Sequence, residues 1–126
     1  MNNRSSYATI REAGVEIGPR KLIYYETEIG YAPFQEWYLS LRNLDAQIAV
    51  QSRLTRLQRG LFGDCKPVGE GVYELRVFVG PGYRIYVGLK EKAWVILLCG
   101  GDKNRQDRDI QAAKNYWQDY QRRSVK

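Results

Sequence analysis

The chain has 126 residues, a formal charge of +6 from 20 Lys and Arg against 14 Asp and Glu, and no histidine. This length fits one domain, and the excess of positive charge favours an anionic partner such as a nucleic acid. Without histidine, Ser-His and Cys-His nucleophile pairs are excluded, and any catalysis must use Lys, Arg, Tyr, Asp or Glu.

The chain begins with a segment that shows no regular period. Residues 1–20 mix polar residues, glycine and proline, so we interpret them as an N-terminal extension, and residues 21–126 as a single domain. The first predicted strand is "KLIYYET", from Lys21 to Thr27, because it is rich in aromatic and β-branched residues.

A helical hairpin is predicted next. Pro33 suits the first position of a helix, and apolar residues follow it at helical spacing at Phe34, Trp37 and Leu41. Asp45 is the expected N-cap of a second helix, which ends at the C-cap glycine Gly60. The predicted apolar side of this second helix consists of Ile48, Ala49, Leu54 and Leu57.

Three arginines follow one another at i+3 steps on the second helix, namely Arg53, Arg56 and Arg59. This spacing places neighbouring side chains on one face, which we expect to be solvated. Two interpretations stay open. The face is either an ordinary charged surface, or a substrate-binding patch for the backbone of RNA or DNA or for an acidic partner.

Strands dominate the next part of the chain. After a predicted loop, "LFGDCKPVGEG", which carries Lys66, the segments "VYELRVFV" and "YRIYVGL" form a hairpin and "AWVILLC" a buried strand. A C-terminal helix follows, with a core-facing stripe at Ile110, Ala113, Trp117 and Tyr120. The order predicts an α+β domain with an N-terminal strand, an α-hairpin, a three-stranded antiparallel meander and a C-terminal helix, the helices covering one face of the sheet.

Alternation along the hairpin predicts which side chains share a face. For both apolar sets to reach one core, paired residue numbers must sum to an even value, because a slip of one residue turns every side chain over. A three-residue loop meets this condition. It pairs Val79 with Tyr83, Arg76 with Tyr86, and Phe78 with Arg84. The other face then carries Glu74, Arg76, Arg84 and Tyr86, and we expect it to be open.

Two guanidinium groups on an open face match a phosphate diester better than any other side chains do. The alternative is a surface ion pair of Arg76 with Glu74 or Glu70, worth less than about 1 kcal/mol. These residues alone favour neither interpretation.

The sequence predicts no metal site and no cofactor. Cys65 and Cys99 form no CxxC motif and are expected to be reduced thiols. The "GPG" segment joins two predicted strands instead of opening a helix, so it is not a dinucleotide fingerprint. Because there is no signal-peptide pattern and no run of eighteen apolar residues, we expect a cytoplasmic protein without a membrane partner.

Four segments carry a resemblance to a known family: "APFQEWYLSL", "RLTRLQRGLFGDCKPVGEGVYELR", "GPGYRIYV" and "LLCGGDKNRQDRDI". In this order, over about residues 23 to 115, the chain resembles the RelE/ParE superfamily of toxins, specifically the phage-derived addiction module killer branch near HigB. The resemblance implies a β-α-α-β-β-β-α fold and a helix-turn-helix antitoxin as partner. It also implies cleavage of messenger RNA, in most relatives on the ribosome.

The resemblance further implies that Arg84 of "GYR" and Arg76 of "LR" surround the scissile phosphate. An RNA 2′-hydroxyl would attack that phosphate without a metal, and Lys66, Tyr86 or Lys103 would transfer protons. The chain departs from the family pattern in its lack of histidine and in having Glu74 at a position where relatives commonly have lysine.

Two other functions remain open at this stage. A ParE-like protein with the same fold would inhibit DNA gyrase and would need no proton-transfer residues. A non-catalytic module would bind a nucleic acid or a partner through its basic surface.

Overall fold

The computed structural model describes residues 19–91 and 93–124, so residues 1–18 of the predicted N-terminal extension lie outside the described residues. The predicted α+β class is confirmed. The strands are β1 (Lys21–Tyr24), β2 (Cys65–Gly69), β3 (Val72–Val77), β4 (Tyr83–Lys90) and β5 (Trp94–Asp102). The helices are α1 (Pro33–Ser40), α2 (Leu44–Gln58) and α3 (Gln106–Ser124), and a 3-10 turn, Lys103–Arg105, precedes α3. No helix of this described part is long and apolar enough to cross a membrane.

All five strands form one sheet in the order β1-β5-β4-β3-β2. Strands β2 to β5 are an antiparallel meander, and β1 pairs parallel to β5. The meander has four strands, not the predicted three, because the segment interpreted as a loop contains β2. Pro67 removes one backbone donor from β2, which is tolerated because β2 is an edge strand.

Helices cover both faces of the sheet, so the expectation of one open face is wrong. The reason lies in β5, whose successive residues are apolar and bury side chains on both faces. The core under α1 and α2 includes Phe34, Val50, Leu57, Leu75, Ile85 and Leu97. The core under α3 includes Tyr86, Ile96, Leu98, Ala113 and Trp117, which confirms the predicted stripe on the C-terminal helix.

The predicted cap of α2 is wrong at the start of the helix and confirmed at its end. Asn43 is the N-cap, because its side-chain oxygen accepts a hydrogen bond from the Ala46 amide at 3.1 Å, and Asp45 lies in the first turn instead. Gly60 follows the C-cap with φ of +83°, as predicted for a C-cap glycine. Ile48 is exposed, so the predicted apolar side was wrong at that residue.

The expectation of a solvated arginine face is wrong for Arg53, whose exposure is 3%. Its guanidinium donates three hydrogen bonds to backbone carbonyls: Nε to Arg76 at 3.0 Å, Nη1 to Phe62 at 2.6 Å and Nη2 to Asp64 at 2.8 Å. Burial, followed by repulsion from Arg56, lowers the pKa of Arg53 to about 10, which still leaves it charged at neutral pH. The turn after α2 therefore folds around this side chain, whereas Arg56 and Arg59 are exposed as predicted.

Replacing Arg53 by methionine is expected to lower the free energy of unfolding by on the order of 3 kcal/mol, because three carbonyls lose a charged donor. Urea unfolding followed by circular dichroism measures this loss. The matched control Arg59→Met removes an exposed arginine near the same helix end and should change stability by less than about 0.5 kcal/mol. Equal stability of the two variants would contradict the structural role of Arg53.

Candidate functional site

Strands β3 and β4 place Arg76 directly opposite Arg84, and Glu74 opposite Tyr86. The predicted register is therefore wrong by two residues, because the loop has five residues, 78–82, and not three. A hydrogen bond of 2.9 Å from the Gly82 amide to the Val79 carbonyl closes this loop. Both loop lengths are odd, so the predicted faces of the hairpin are confirmed although the partners are not.

The opposed arginines each have a carboxylate of their own. Arg76 contacts Asp64 through Nε, 3.1 Å from Oδ2, and through Nη2, 3.3 Å from Oδ1. Arg84 Nε lies 3.5 Å from Glu74 Oε2. Like charges directly opposite one another on neighbouring strands repel, and these carboxylates offset that repulsion.

Glu74 is a buried carboxylate that links the sheet to α3. Its exposure is 1%, and its Oε2 accepts hydrogen bonds from the Tyr86 hydroxyl at 3.0 Å and from Gln106 Nε2 at 2.8 Å. Gln106 is the first residue of α3. The start of the C-terminal helix therefore orients the carboxylate that contacts Arg84.

Tyr86 is fully buried, with an exposure of 0%, so the expectation that it is on an open face is wrong. Burial, followed by the negative charge of Glu74, raises the pKa of the Tyr86 phenol. The hydroxyl stays protonated at neutral pH and donates to Glu74. A role for Tyr86 in proton transfer thus loses its structural basis.

Three of the five predicted catalytic residues do meet at one surface. Arg76, Arg84 and Lys103 line a depression of about 450 Å³ beside the loop 78–82. The side chain of Arg76 is 41% exposed and that of Arg84 is 15% exposed. Each guanidinium thus keeps an exposed part that can reach a ligand while a carboxylate contacts it from the protein side.

A second depression, of about 370 Å³, continues this surface towards α2. It is lined by Arg56 and Asp64 and shares Arg76, Val77 and Phe78 with the first. We call the two together the basic groove; its accessible cations are Arg56, Arg76, Arg84 and Lys103.

Two other predicted site residues, Lys66 and Arg59, line neither depression of the basic groove. Lys66 is exposed on the edge strand β2 and pairs with Glu74, one row along the same face from Arg76 and Arg84. Arg59 is exposed at the C-cap of α2. In residues 19–91 and 93–124, no group of three or more Cys, Asp and Glu residues could hold a metal ion.

Sequence reasoning missed several residues of this site. The partnership of Asp64 with Arg76 depends on β2, which was not predicted. The close approach of Asp109 to the sheet was also not predicted: its carboxylate lies over Gly101, the β5 partner of Arg84, where any Cβ would overlap it, and burial raises the pKa of Asp109. A signal existed for this contact, because a glycine inside an apolar strand often marks a close approach.

Comparison with known proteins identifies a relative of this chain. No family model matches the chain. A protein of Haemophilus influenzae described as uncharacterized is 49% identical over 81 residues, which cover 64% of this chain and 82% of that protein. The chain belongs to the same family as this Haemophilus influenzae protein.

Proposed function

We propose that this protein is the toxin of a type II toxin-antitoxin system and cleaves messenger RNA on the ribosome without a metal. The observation that carries the proposal is the pair Arg76 and Arg84, opposed across β3 and β4 in a groove that also contains Lys103. Guanidinium forks and an ammonium are suitable hydrogen-bond donors to the negative charge that develops on a phosphodiester during cleavage.

The fold supports membership of the RelE/ParE superfamily. The order of β1, the helical hairpin, the meander and α3 is the order that the resemblance implies, with β2 as an additional first strand of the meander. The arginines of "LR" and "GYR" come from different strands, and the hairpin register brings them side by side.

The reaction assigned to this groove is attack of an RNA 2′-hydroxyl on the adjacent phosphate. The 2′-hydroxyl loses its proton to a base as its oxygen bonds to phosphorus, the bond to the 5′-oxygen breaks, a 2′,3′-cyclic phosphate forms, and the departing oxygen takes up a proton from an acid. Arg84 and Arg76 stabilise the negative charge that grows on the phosphate oxygens. The ammonium of Lys103 suits the proton donor, since it lines the same depression. Lys66 is the second proton-transfer candidate, one row away.

The proposed partners follow from the charge of the basic groove. Four accessible cations line it and the chain carries a net charge of +6, so an acidic segment of a helix-turn-helix antitoxin would cover the groove and neutralise the toxin. Translated messenger RNA, presented by the ribosome in the cytoplasm, is the proposed substrate. A site without histidine is a weak acid-base catalyst. The ribosome would compensate by holding the message in the orientation that the reaction requires.

Replacing Arg84 by alanine is expected to slow cleavage by a hundredfold or more, on the order found when one charge-stabilising donor is removed. Primer extension on a translated message in a cell-free system measures the rate. The matched control Arg122→Ala removes an exposed arginine of α3 that pairs with Asp119, and this variant should cut as fast as the parent.

A parent protein that leaves translated message intact would contradict the proposal. A supercoiling assay with DNA gyrase, run on the same preparation, then identifies inhibition of that enzyme as the alternative. If the Arg84→Ala variant cuts at the parent rate, only the assignment of the reaction to this groove is contradicted.

The proton-transfer residues are tested by a second pair of variants. Tyr86→Phe should keep cleavage within a few-fold of the parent, because the buried phenol only donates to Glu74. Lys103→Met should slow cleavage by about a hundredfold, within the range for loss of a general acid. Single-turnover rates on ribosomes provide the measurement, and a greater loss for Tyr86→Phe than for Lys103→Met would reverse the assignment.

A further inference from the structure

Phe78 is an exposed aromatic side chain at the centre of the basic groove. It follows the last residue of β3, and 75% of its surface is exposed. It lines both depressions of the groove, together with Arg76. The ring therefore lies where the part of the groove that contains Arg84 and Lys103 joins the part that contains Arg56.

Exposure of Phe78 alone would not indicate a binding site, because single apolar side chains are common on protein surfaces. The position of Phe78 is what distinguishes it. Proteins that bind single-stranded nucleic acids combine cations that follow the phosphate backbone with aromatic rings on which bases stack. The basic groove has both parts, since Arg56 and Arg84 line the two depressions that meet at Phe78.

Contacts within the protein hold the Phe78 ring in a position where a base could stack on it. The guanidinium carbon of Arg76 lies 5.5 Å from the centroid of the Phe78 ring, at cation-π distance. Arg76 is itself anchored by Asp64. The loop behind the ring is closed by the hydrogen bond from Gly82 to Val79. The ring thus rests on an anchored guanidinium, which limits the entropy lost when a base binds.

We propose that Phe78 is a stacking subsite for a nucleobase of single-stranded RNA, next to the phosphate held by Arg76 and Arg84. The proposal rests on the proposed function in one respect, which is that RNA is the ligand of the groove. Because every base has a π-face, this subsite accepts any base and adds affinity without sequence preference.

Binding to an uncleavable RNA tests the subsite. The probes are a short fluorescein-labelled 2′-O-methyl oligoadenylate, which has no free 2′-hydroxyl to react, and an abasic oligomer of the same length and charge. Fluorescence anisotropy gives the Kd of the parent and of the Phe78→Ala, Phe78→Trp and Ile29→Ala variants. Ile29→Ala is the matched control, since it removes another highly exposed apolar side chain from a different loop.

We expect Phe78→Ala to raise the Kd for the oligoadenylate roughly fivefold to a hundredfold, the loss of about one stacked base. Phe78→Trp should bind at least as tightly as the parent, and Ile29→Ala like the parent. None of the variants should change the Kd for the abasic oligomer. Circular dichroism melting of each variant shows whether it is folded.

Three results would overturn the subsite: a Phe78→Ala Kd equal to that of the parent, an equal loss on the abasic oligomer, or no measurable binding of the oligoadenylate by the parent. These results are separate from failure of the proposed function. If Phe78→Ala binds RNA as the parent does while the parent cuts translated message, only the subsite fails. If the variants follow the expected order while the parent cuts nothing, the stacking subsite stands and the nuclease assignment fails.

Discussion

The direct opposition of Arg76 and Arg84 is the constraint on which the rest of the site depends. Two guanidiniums in facing positions of an antiparallel pair repel, and the hairpin accepts them because carboxylates contact each one. Asp64 comes from the segment just before β2, and Glu74 is held by Gln106 at the start of α3. The arginine pair is therefore stabilised by one residue just before β2 and by a carboxylate that the start of α3 orients.

Fold stability and site geometry are coupled through Arg53. Its Nε binds the carbonyl of Arg76 and its Nη2 binds the carbonyl of Asp64, so one buried guanidinium fixes the backbone of both members of an ion pair. The three arginines at i+3 spacing therefore lie in different environments. Arg53 is structural, Arg56 lines the groove, and Arg59 lies at the helix end.

The sequence was sufficient for the α+β class, most elements and the face that each hairpin residue occupies, because alternation depends only on the parity of the loop length. It was not sufficient for the partners across the hairpin, since loops of three and five residues satisfy the same parity. Burial of Arg53 and Tyr86 was missed for a related reason: both depend on packing between distant segments, the turn at residues 62–64 and the helix α3. For Trp37 and Asp109 the sequence did hold a hint, because the glycines at 100 and 101 inside an apolar strand indicate a close approach, although they do not name the residue that makes it.

The carboxylates that make the arginine pair possible also limit what the groove can do through charge alone. Asp64 and Glu74 neutralise much of the field of Arg76 and Arg84, and the remaining attraction for a polyanion is screened over about 8 Å at physiological ionic strength. A groove of this kind gains less from counterion release than a surface of unpaired lysines does. For the proposed RNA substrate, recognition would then depend on geometry: forked donors at a single phosphate, a lysine beside them, and an aromatic ring for a neighbouring base. Such a site suits a substrate that is brought to it in an extended single-stranded form, and it suits poorly a protein that must find free nucleic acid by long-range attraction.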